Sequence, residues 1–404
     1  MRLATQLSTL VTALALLLAA CGAPAAGPSG AAPSAAKPAS GGTASGGATS
    51  SGAPSGAAPS AAATSGGGAA TAGASSEFQK VLDAAKQEAS DGTLFVSITQ
   101  PNQASTYDAL FAEFNKRFGL NVRHEWQSHQ QDYYTRVIAE AQAGRRTPDV
   151  ISGGLDSMVT LDDAGLLESY DWMGVFGQEL PGIADPVDRT LSTLRGKSLA
   201  HFDVIYTIVY NTSALQASQL PRMLNDIADP QWDRKFAINF SGGPIDTIGI
   251  AIGYDPAMDL ARKVKANRPL FKRGAPGVVA SVASGEAPLG FGYTTGADVE
   301  KAKGAPIDWM PLQDYLPILQ QNVTVLKSAQ HPNLARLFAA WLVSEAMPLQ
   351  EKLEYMGRAT ARGTPTWERL QQLAPNTKIV EGRTPEEIDL RLRLTDEMTK
   401  LMAQ

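Results

Sequence analysis

From Val204 to Thr212 the chain reads Val-Ile-Tyr-Thr-Ile-Val-Tyr-Asn-Thr, with polar side chains only at Thr207, Asn211 and Thr212. A β-branched and aromatic run of this kind predicts a strand buried on both faces. Both flanks alternate strand and helix patterns. The strand therefore reads as a crossover from a first α/β lobe into a second, with a central strand of one large α/β domain as the alternative.

Before the crossover, residues 77–89 predict an amphipathic helix with Phe78, Val81, Leu82 and Ala85 on one side. Residues 93–99 predict a strand. Ser105 and Thr106 are placed to cap a helix whose Leu110, Phe111, Phe114 and Phe118 share a face, and Gly119 ends it. A strand over 120–126, a helix reaching Ala143 and a short strand over 148–152 follow. Asp156 or Ser157 then caps a helix ending before Gly165. This spacing predicts a parallel, doubly wound sheet. After the crossover, strands are expected over 236–239, 288–293, 307–311 and 323–327, and helices over 277–284 and 332–342. The last 40 or so residues read as charged amphipathic helix after a turn-rich stretch at Gly357 to Pro365.

The N-terminus changes the picture. Arg2 precedes an apolar run from Leu10 to Ala20, which is too short to span a bilayer and fits a secretory signal peptide. It ends Leu18-Ala19-Ala20-Cys21-Gly22, and Cys21 is the only cysteine of 404 residues. No disulfide can form within the chain. From Gly22 to Ser76 almost every residue is Gly, Ala, Ser, Pro or Thr, which predicts a disordered tether with a span of roughly 40 Å. The formal net charge of −5 is a poor match to nucleic acid or to a polybasic membrane contact.

Several chemistries fail on spacing. His124-Glu125 and His129 lie five apart at a strand end, not four apart on a helix as a zinc protease requires. Gly196-Lys197-Ser198 has Leu191 where a phosphate loop needs its first glycine. There is no Gly-x-Ser-x-Gly elbow and no second thiol for catalysis. No metal site and no cofactor are expected. Four loops remain, all at the C-terminal ends of predicted strands and each preceding a helix. They are Thr99-Gln100-Pro101-Asn102, Ser152-Gly153-Gly154, Ser241-Gly242-Gly243 and Tyr293-Thr294-Thr295-Gly296. Open α/β sheets bind ligands at that edge, although helix capping uses the same residue types.

Small residues before Cys21 resemble a bacterial lipobox, which implies cleavage before Cys21 and its acylation. The folded part resembles the type II extracellular solute-binding proteins, the capture subunits of ABC importers, and among them the group containing ferric-ion-binding proteins. The resemblance rests on Tyr210-Asn211-Thr212, Ile227-Ala228-Asp229-Pro230-Gln231-Trp232, Ser284-Gly285-Glu286-Ala287-Pro288 and Val325 to Asn333, with Thr147-Pro148-Asp149-Val150 and Ala164-Gly165-Leu166-Leu167 in the first half. It implies a two-lobe type II periplasmic binding protein fold with hinge-linked sheets. The lobes implied are residues 77–205 with 323–358, and 206–322 with 359–404. They follow a signal peptide (1–20) and a tether (21–76).

The function implied is capture of a small polar or anionic solute at the outer face of the cytoplasmic membrane, for delivery to a permease. The protein is expected to be a monomer and not an enzyme. The expected ligand-binding residues are Thr99, Gln100, Ser152, Gly153, Gly154, Tyr206, Ser241, Gly242, Gly243, Tyr293 and Thr294. Relatives of the ferric group hold the metal with two adjacent tyrosines, where this chain has Tyr293-Thr294, so iron is not expected. An iron importer subunit, a sensory lipoprotein or an enzyme using the same cleft stay open as alternatives.

Overall fold

The computed structural model describes residues 76–101, 103–129 and 132–404. The signal peptide, Cys21, the tether before Ser76 and Asn102 lie outside the described residues. Chain order begins α1 (Ser76–Asp91), β1 (Thr93–Ser97), α2 (Ala104–Phe118), β2 (Arg123–Gln127), α3 (Tyr133–Gln142), β3 (Val150–Gly154) and α4 (Leu155–Asp163). Short helices α5 (Trp172–Phe176) and α6 (Ala184–Arg189) lead to β4 (Leu199–Asn211). Then come β5 (Phe236–Asn239), α7 (Ile245–Ile252), α8 (Tyr254–Ala266), β6 (Leu270–Lys272), α9 (Gly274–Ala283), β7 (Leu289–Tyr293) and α10 (Thr294–Ala302). The chain closes with β8 (Ile307–Met310), β9 (Tyr315–Val325), α11 (Pro332–Ser344), α12 (Met347–Glu354), α13 (Pro365–Leu373), β10 (Lys378–Val380) and α14 (Pro385–Ala403).

Helix α2 shows how the pattern becomes packing. Leu110, Phe111, Phe114 and Phe118 are buried as one stripe, and Gly119 closes the helix in the left-handed region at φ 67°. Phe111 and Phe114 meet Phe338 of α11 at ring-centroid distances of 4.8 and 5.3 Å. The expected caps Ser105 and Thr106 lie inside the helix instead. Gln103 is the N-cap, and its amide donates to Glu354 Oε1 at 3.1 Å.

The strands run in the order β2–β1–β3–β9–β4–β7–β5–β6, with β10 added to β9 and β8 to β4. The outer groups are parallel as expected: β1 with β2 and β3, and β5 with β6 and β7. The centre is not. Strands β4 and β9 are antiparallel to each other, β9 is antiparallel to β3 and β4 to β7 and β8, while β10 joins β9 in parallel, so the sheet is mixed. Strand β4 changes partners along its length, pairing with β9 through Ile205 and with β7 from Tyr206 onward. Strand β9 pairs with β3 over residues 321–325 and with β10 over 315–317.

Buried charges hold these crossing strands from behind. Arg189, 2% exposed, places Nη2 2.8 Å from Asp203 Oδ1 of β4 and 2.6 Å from Glu381 Oε2. Gln320 of β9 donates to Glu381 as well. Removing one member would strand the others without water, a change that costs about 3–5 kcal/mol.

Candidate functional site

The wall built by β1 and β3 is a chain of hydrogen bonds. Thr99 N donates to Ser152 Oγ at 2.9 Å. The Ser152 carbonyl accepts from the Tyr134 hydroxyl at 2.7 Å and from His129 Nε2 at 3.1 Å. His129 Nδ1 lies 2.9 Å from Ser97 Oγ, which also accepts from Gln127 Nε2 at 3.0 Å. A neutral imidazole protonated on Nε2 satisfies every partner. Burial pushes the His129 pKa down to about 4, against the raising effect of the Ser152 carbonyl. Ser152 is fully buried and its hydroxyl is spent on Thr99. A Cβ on Gly153 would stand 2.0 Å from the Tyr134 hydroxyl oxygen, so that glycine makes room for the tyrosine. Gly154 has looser surroundings, with Gln321 Nε2 3.7 Å from a built Cβ.

On the other wall Tyr293 ends β7 and is the register partner of Tyr206 on β4. Its ring folds back over the first turn of α10, where a Cβ on Gly296 would lie 2.6 Å from it. Thr294 is buried, and Thr295 Oγ1 donates to the Tyr355 carbonyl at 2.9 Å. Burial raises the Tyr206 phenol well above its ordinary pKa; nearby Asp246 adds to that and Arg391 opposes it.

The loop Ser241-Gly242-Gly243 is built differently. Ser241 Oγ accepts from Asn239 Nδ2 at 2.8 Å. Gly242 adopts φ 74°, and a Cβ there would meet Met398 of α14 at 2.8 Å. Gly243 lies beside Asp246, whose carboxylate accepts from Thr247 N at 2.6 Å and from the Thr395 hydroxyl at 2.7 Å. The last helix of the chain thus covers this loop. Gly242 N donates to the Asn239 carbonyl at 2.8 Å and Ser241 N to Asn239 Oδ1 at 3.5 Å, so these two N–H groups already have partners within the protein.

A cavity of about 600 Å³ does bring two of the expected residues together. Gln100 and Gln103 line it from the β1–α2 loop, Tyr293, Thr295 and Glu300 from β7 and α10, and Glu354 and Tyr355 from the end of α12. That volume suits a small ligand. A larger cavity, about 750 Å³, lies around Asp185, Arg358, Thr360 and Trp367 and contains none of the expected residues. The smaller one is the better candidate, because it opens at the C-terminal ends of β1 and β7, where sheets of this kind bind ligands. Gln103, Glu300, Glu354 and Tyr355 were not expected there. One sign was available: a helix ending Leu353-Glu354-Tyr355 shortly before the turn-rich Gly357. Among the described residues, no group of three or more His, Cys, Asp or Glu side chains is placed to hold a metal ion.

The model of the family described as bacterial extracellular solute-binding protein matches residues 99–347. The chain belongs to that family. Its members are the substrate-binding subunits of ABC transporters and work outside the cytoplasm. Among solved structures, iron-bound HitA from Pseudomonas aeruginosa is similar, at 19% identity and TM-score 0.55, over 76% of this chain and 99% of that one. AfuA from Actinobacillus pleuropneumoniae, with fructose-6-phosphate bound, is similar at 20% identity and TM-score 0.53, over 78% and 99%. The Atu4243 GABA receptor follows at 18% identity and TM-score 0.56, over 77% and 97%. No curated protein matches the sequence. These likenesses establish the type II periplasmic binding protein fold, on which three unlike ligands are held. Among the described residues no helix is long and apolar enough to cross a membrane.

Proposed function

We propose that the chain is anchored by acylated Cys21 outside the cytoplasmic membrane, captures a small polar solute, and hands it to an ABC permease. The solute sits between the β1–α2 loop and the β7–α10 turn, touching Gln100, Tyr293 and Thr295. The observation that carries this reading is the cavity of about 600 Å³ whose walls come from those two strand ends. Residues 77–205 with 323–358 form one lobe, and residues 206–322 with 359–404 form the other. The change of partners in β4 between Ile205 and Tyr206 supports that division. Opening and closing about β4 and β9 would let both walls touch the ligand, which then favours the closed state by its extra contacts there.

A thermal-shift screen of the full chain against small polar metabolites tests the proposal. A true ligand at 100 times its dissociation constant adds about 2.7 kcal/mol of stability. Tyr293→Ala should abolish that gain. A ligand whose stabilisation survives Tyr293→Ala binds elsewhere, and the assignment of this cavity then fails.

A further inference from the structure

Helix α12 contributes to two cavities. Its last residues, Leu353 and Glu354, line the one of about 600 Å³, and its first, Met347 and Pro348, line the one of about 750 Å³. We propose that the larger cavity is a second binding site, for a small aromatic carboxylate whose anionic group meets Arg358 and whose ring lies against Trp367. This site goes beyond the capture reading and does not depend on it.

The recognising group is Arg358, which is 4% exposed. A guanidinium has five N–H donors. Nη1 donates to the carbonyls of His201 and Val343, at 3.3 and 2.8 Å. Nε and Nη2 find no hydrogen-bond acceptor among the described residues. Their N–H bonds run parallel, the fork with which arginine grips both oxygens of a carboxylate. Asp185 comes near it: Oδ2 lies 3.3 Å from Nε, within ion-pair reach but out of hydrogen-bond alignment. That oxygen accepts from the Thr360 hydroxyl at 2.6 Å instead. An unmatched donor on a buried charge is costly, so an acceptor that reaches this fork is bound firmly.

The charge around the cavity has the matching sign. Among the lining residues two cations, Arg358 and Arg362, face one carboxylate, Asp185. The Asp185 side chain is 37% exposed, so water screens it. Arg362 is exposed and joins no ion pair among the described residues. Burial draws the Arg358 pKa below its ordinary value, and the opposing pull of Asp185 does not restore it. Burial acts on Arg189 as well, but there Asp203 and Glu381 outweigh it and the pKa rises. Of these two buried arginines, Arg358 is the one short of negative charge. Much of the remaining wall is apolar. Trp367 is half-buried and meets no other ring among the described residues, and Met347, Pro348 and Ile379 line the same space. A flat ring attached to the anion would cover these surfaces.

Isothermal titration calorimetry on the full chain tests the site, with benzoate and indole-3-carboxylate as probes and benzamide and inorganic phosphate as the contrast. Both carboxylates should bind. Benzamide, which keeps the ring and loses the charge, should bind roughly 10- to 100-fold more weakly. Arg358→Lys keeps the charge and loses the fork, so affinity should fall roughly tenfold or more. Arg358 is buried and its variant is open to misfolding, so two substitutions nearer the surface carry the same test. Arg362→Glu reverses the sign at the rim and Trp367→Ala removes the ring, and each should weaken both carboxylates several-fold. Tyr293→Ala should leave them unchanged, which separates this site from the solute cavity. Silence from both carboxylates would overturn the proposal, as would undiminished binding in both Arg362→Glu and Trp367→Ala. Benzamide or phosphate binding as tightly as benzoate would overturn the assigned ligand class. Carboxylate binding lost in Tyr293→Ala but kept in Trp367→Ala would move the anion to the solute cavity, overturning the second site and leaving the capture reading standing.

Discussion

The tripeptide Ser-Gly-Gly occurs at two strand ends, Ser152-Gly153-Gly154 and Ser241-Gly242-Gly243, and the two copies have opposite surroundings. The first is held from beneath. His129 and Tyr134 donate to the Ser152 carbonyl, and Gly153 exists to admit the Tyr134 hydroxyl. The second is held from above, with Met398 of the last helix against Gly242 and Asp246 against Gly243. A glycine at a strand end is commonly read as room for a ligand. In this molecule both loops use that room for the protein's own side chains, and the open space lies one strand away, beside Gln100 and Tyr293.

Substitution separates the two glycine uses most sharply. Gly153→Ala brings a Cβ to 2.0 Å from the Tyr134 oxygen and 3.1 Å from Ser157 Cβ. Destabilisation of about 3 kcal/mol is expected, read from urea unfolding. Part of it should return in the Tyr134→Phe background, where the obstructing oxygen is gone. Gly242→Ala combines a left-handed φ with a milder approach to Met398 and should cost about 2 kcal/mol. Gly243→Ala meets only ordinary contact at 3.5 Å and should stay within about 0.5 kcal/mol. An equal cost at Gly153 and Gly243 would erase the distinction.

Acid probes the same contrast with a smaller effect, because only the first loop leans on a histidine. The His129 pKa is about 4 in the folded protein against about 6.5 for the free side chain. The unfolded chain therefore binds the proton first as pH falls. His129 leaves stability intact above about pH 6.5, and stability drains away between about 6.5 and 4, by about 1 kcal/mol per pH unit. His201, buried and bonded to Gln350 Oε1, is also lowered to about 4 and adds a similar slope. His129→Gln should remove its own share of the slope in unfolding curves taken from pH 7 to 4.5. A slope unchanged by that substitution would show that the Ser152 loop does not depend on a neutral imidazole.

The same contrast explains what the sequence could and could not reveal. Apolar periodicity located α2, β5, β7 and α11 closely, since those elements bury residues that look buried. It shortened the crossing strands. The run read as starting at Val204 begins at Leu199, because His201 and Asp203 are polar yet buried, His201 bonded through Nε2 to Gln350 and Asp203 to Arg189 and the Ala359 amide. Strand β9 begins eight residues before the expected Val323, since Gln320, Gln321 and Asn322 interrupt the pattern. Buried polar residues are legible only when their partners are known, and those partners lie far off in sequence. The lining of the candidate cavity divides in the same way. Tyr293 and Gln100 stand at strand ends and could be picked by position, whereas Glu354 reaches the cavity across a separation of about 250 residues from Gln103. Nothing local marks it.

The weakest effect expected is the response to iron, and it bears on the pairing that most resembles a metal site. Tyr206 and Tyr293 are cross-strand partners, so two phenols lie on one face of the sheet. Ferric iron binds phenolates, so each tyrosine must lose its proton to serve. Burial raises both, with Asp246 adding to the shift at Tyr206 and Glu300 at Tyr293, which opposes ionisation. Their surroundings also differ: Tyr293 lies over Gly296 in the cavity, while Tyr206 sits among Asp246 and Arg391 near the covered loop. A pair split between an open site and a closed one does not chelate well. Titrating the full chain with ferric citrate should therefore give no tyrosinate-to-iron charge-transfer band. A band that vanishes in Tyr293→Phe would restore the iron reading and place the metal at the seam between the two regions.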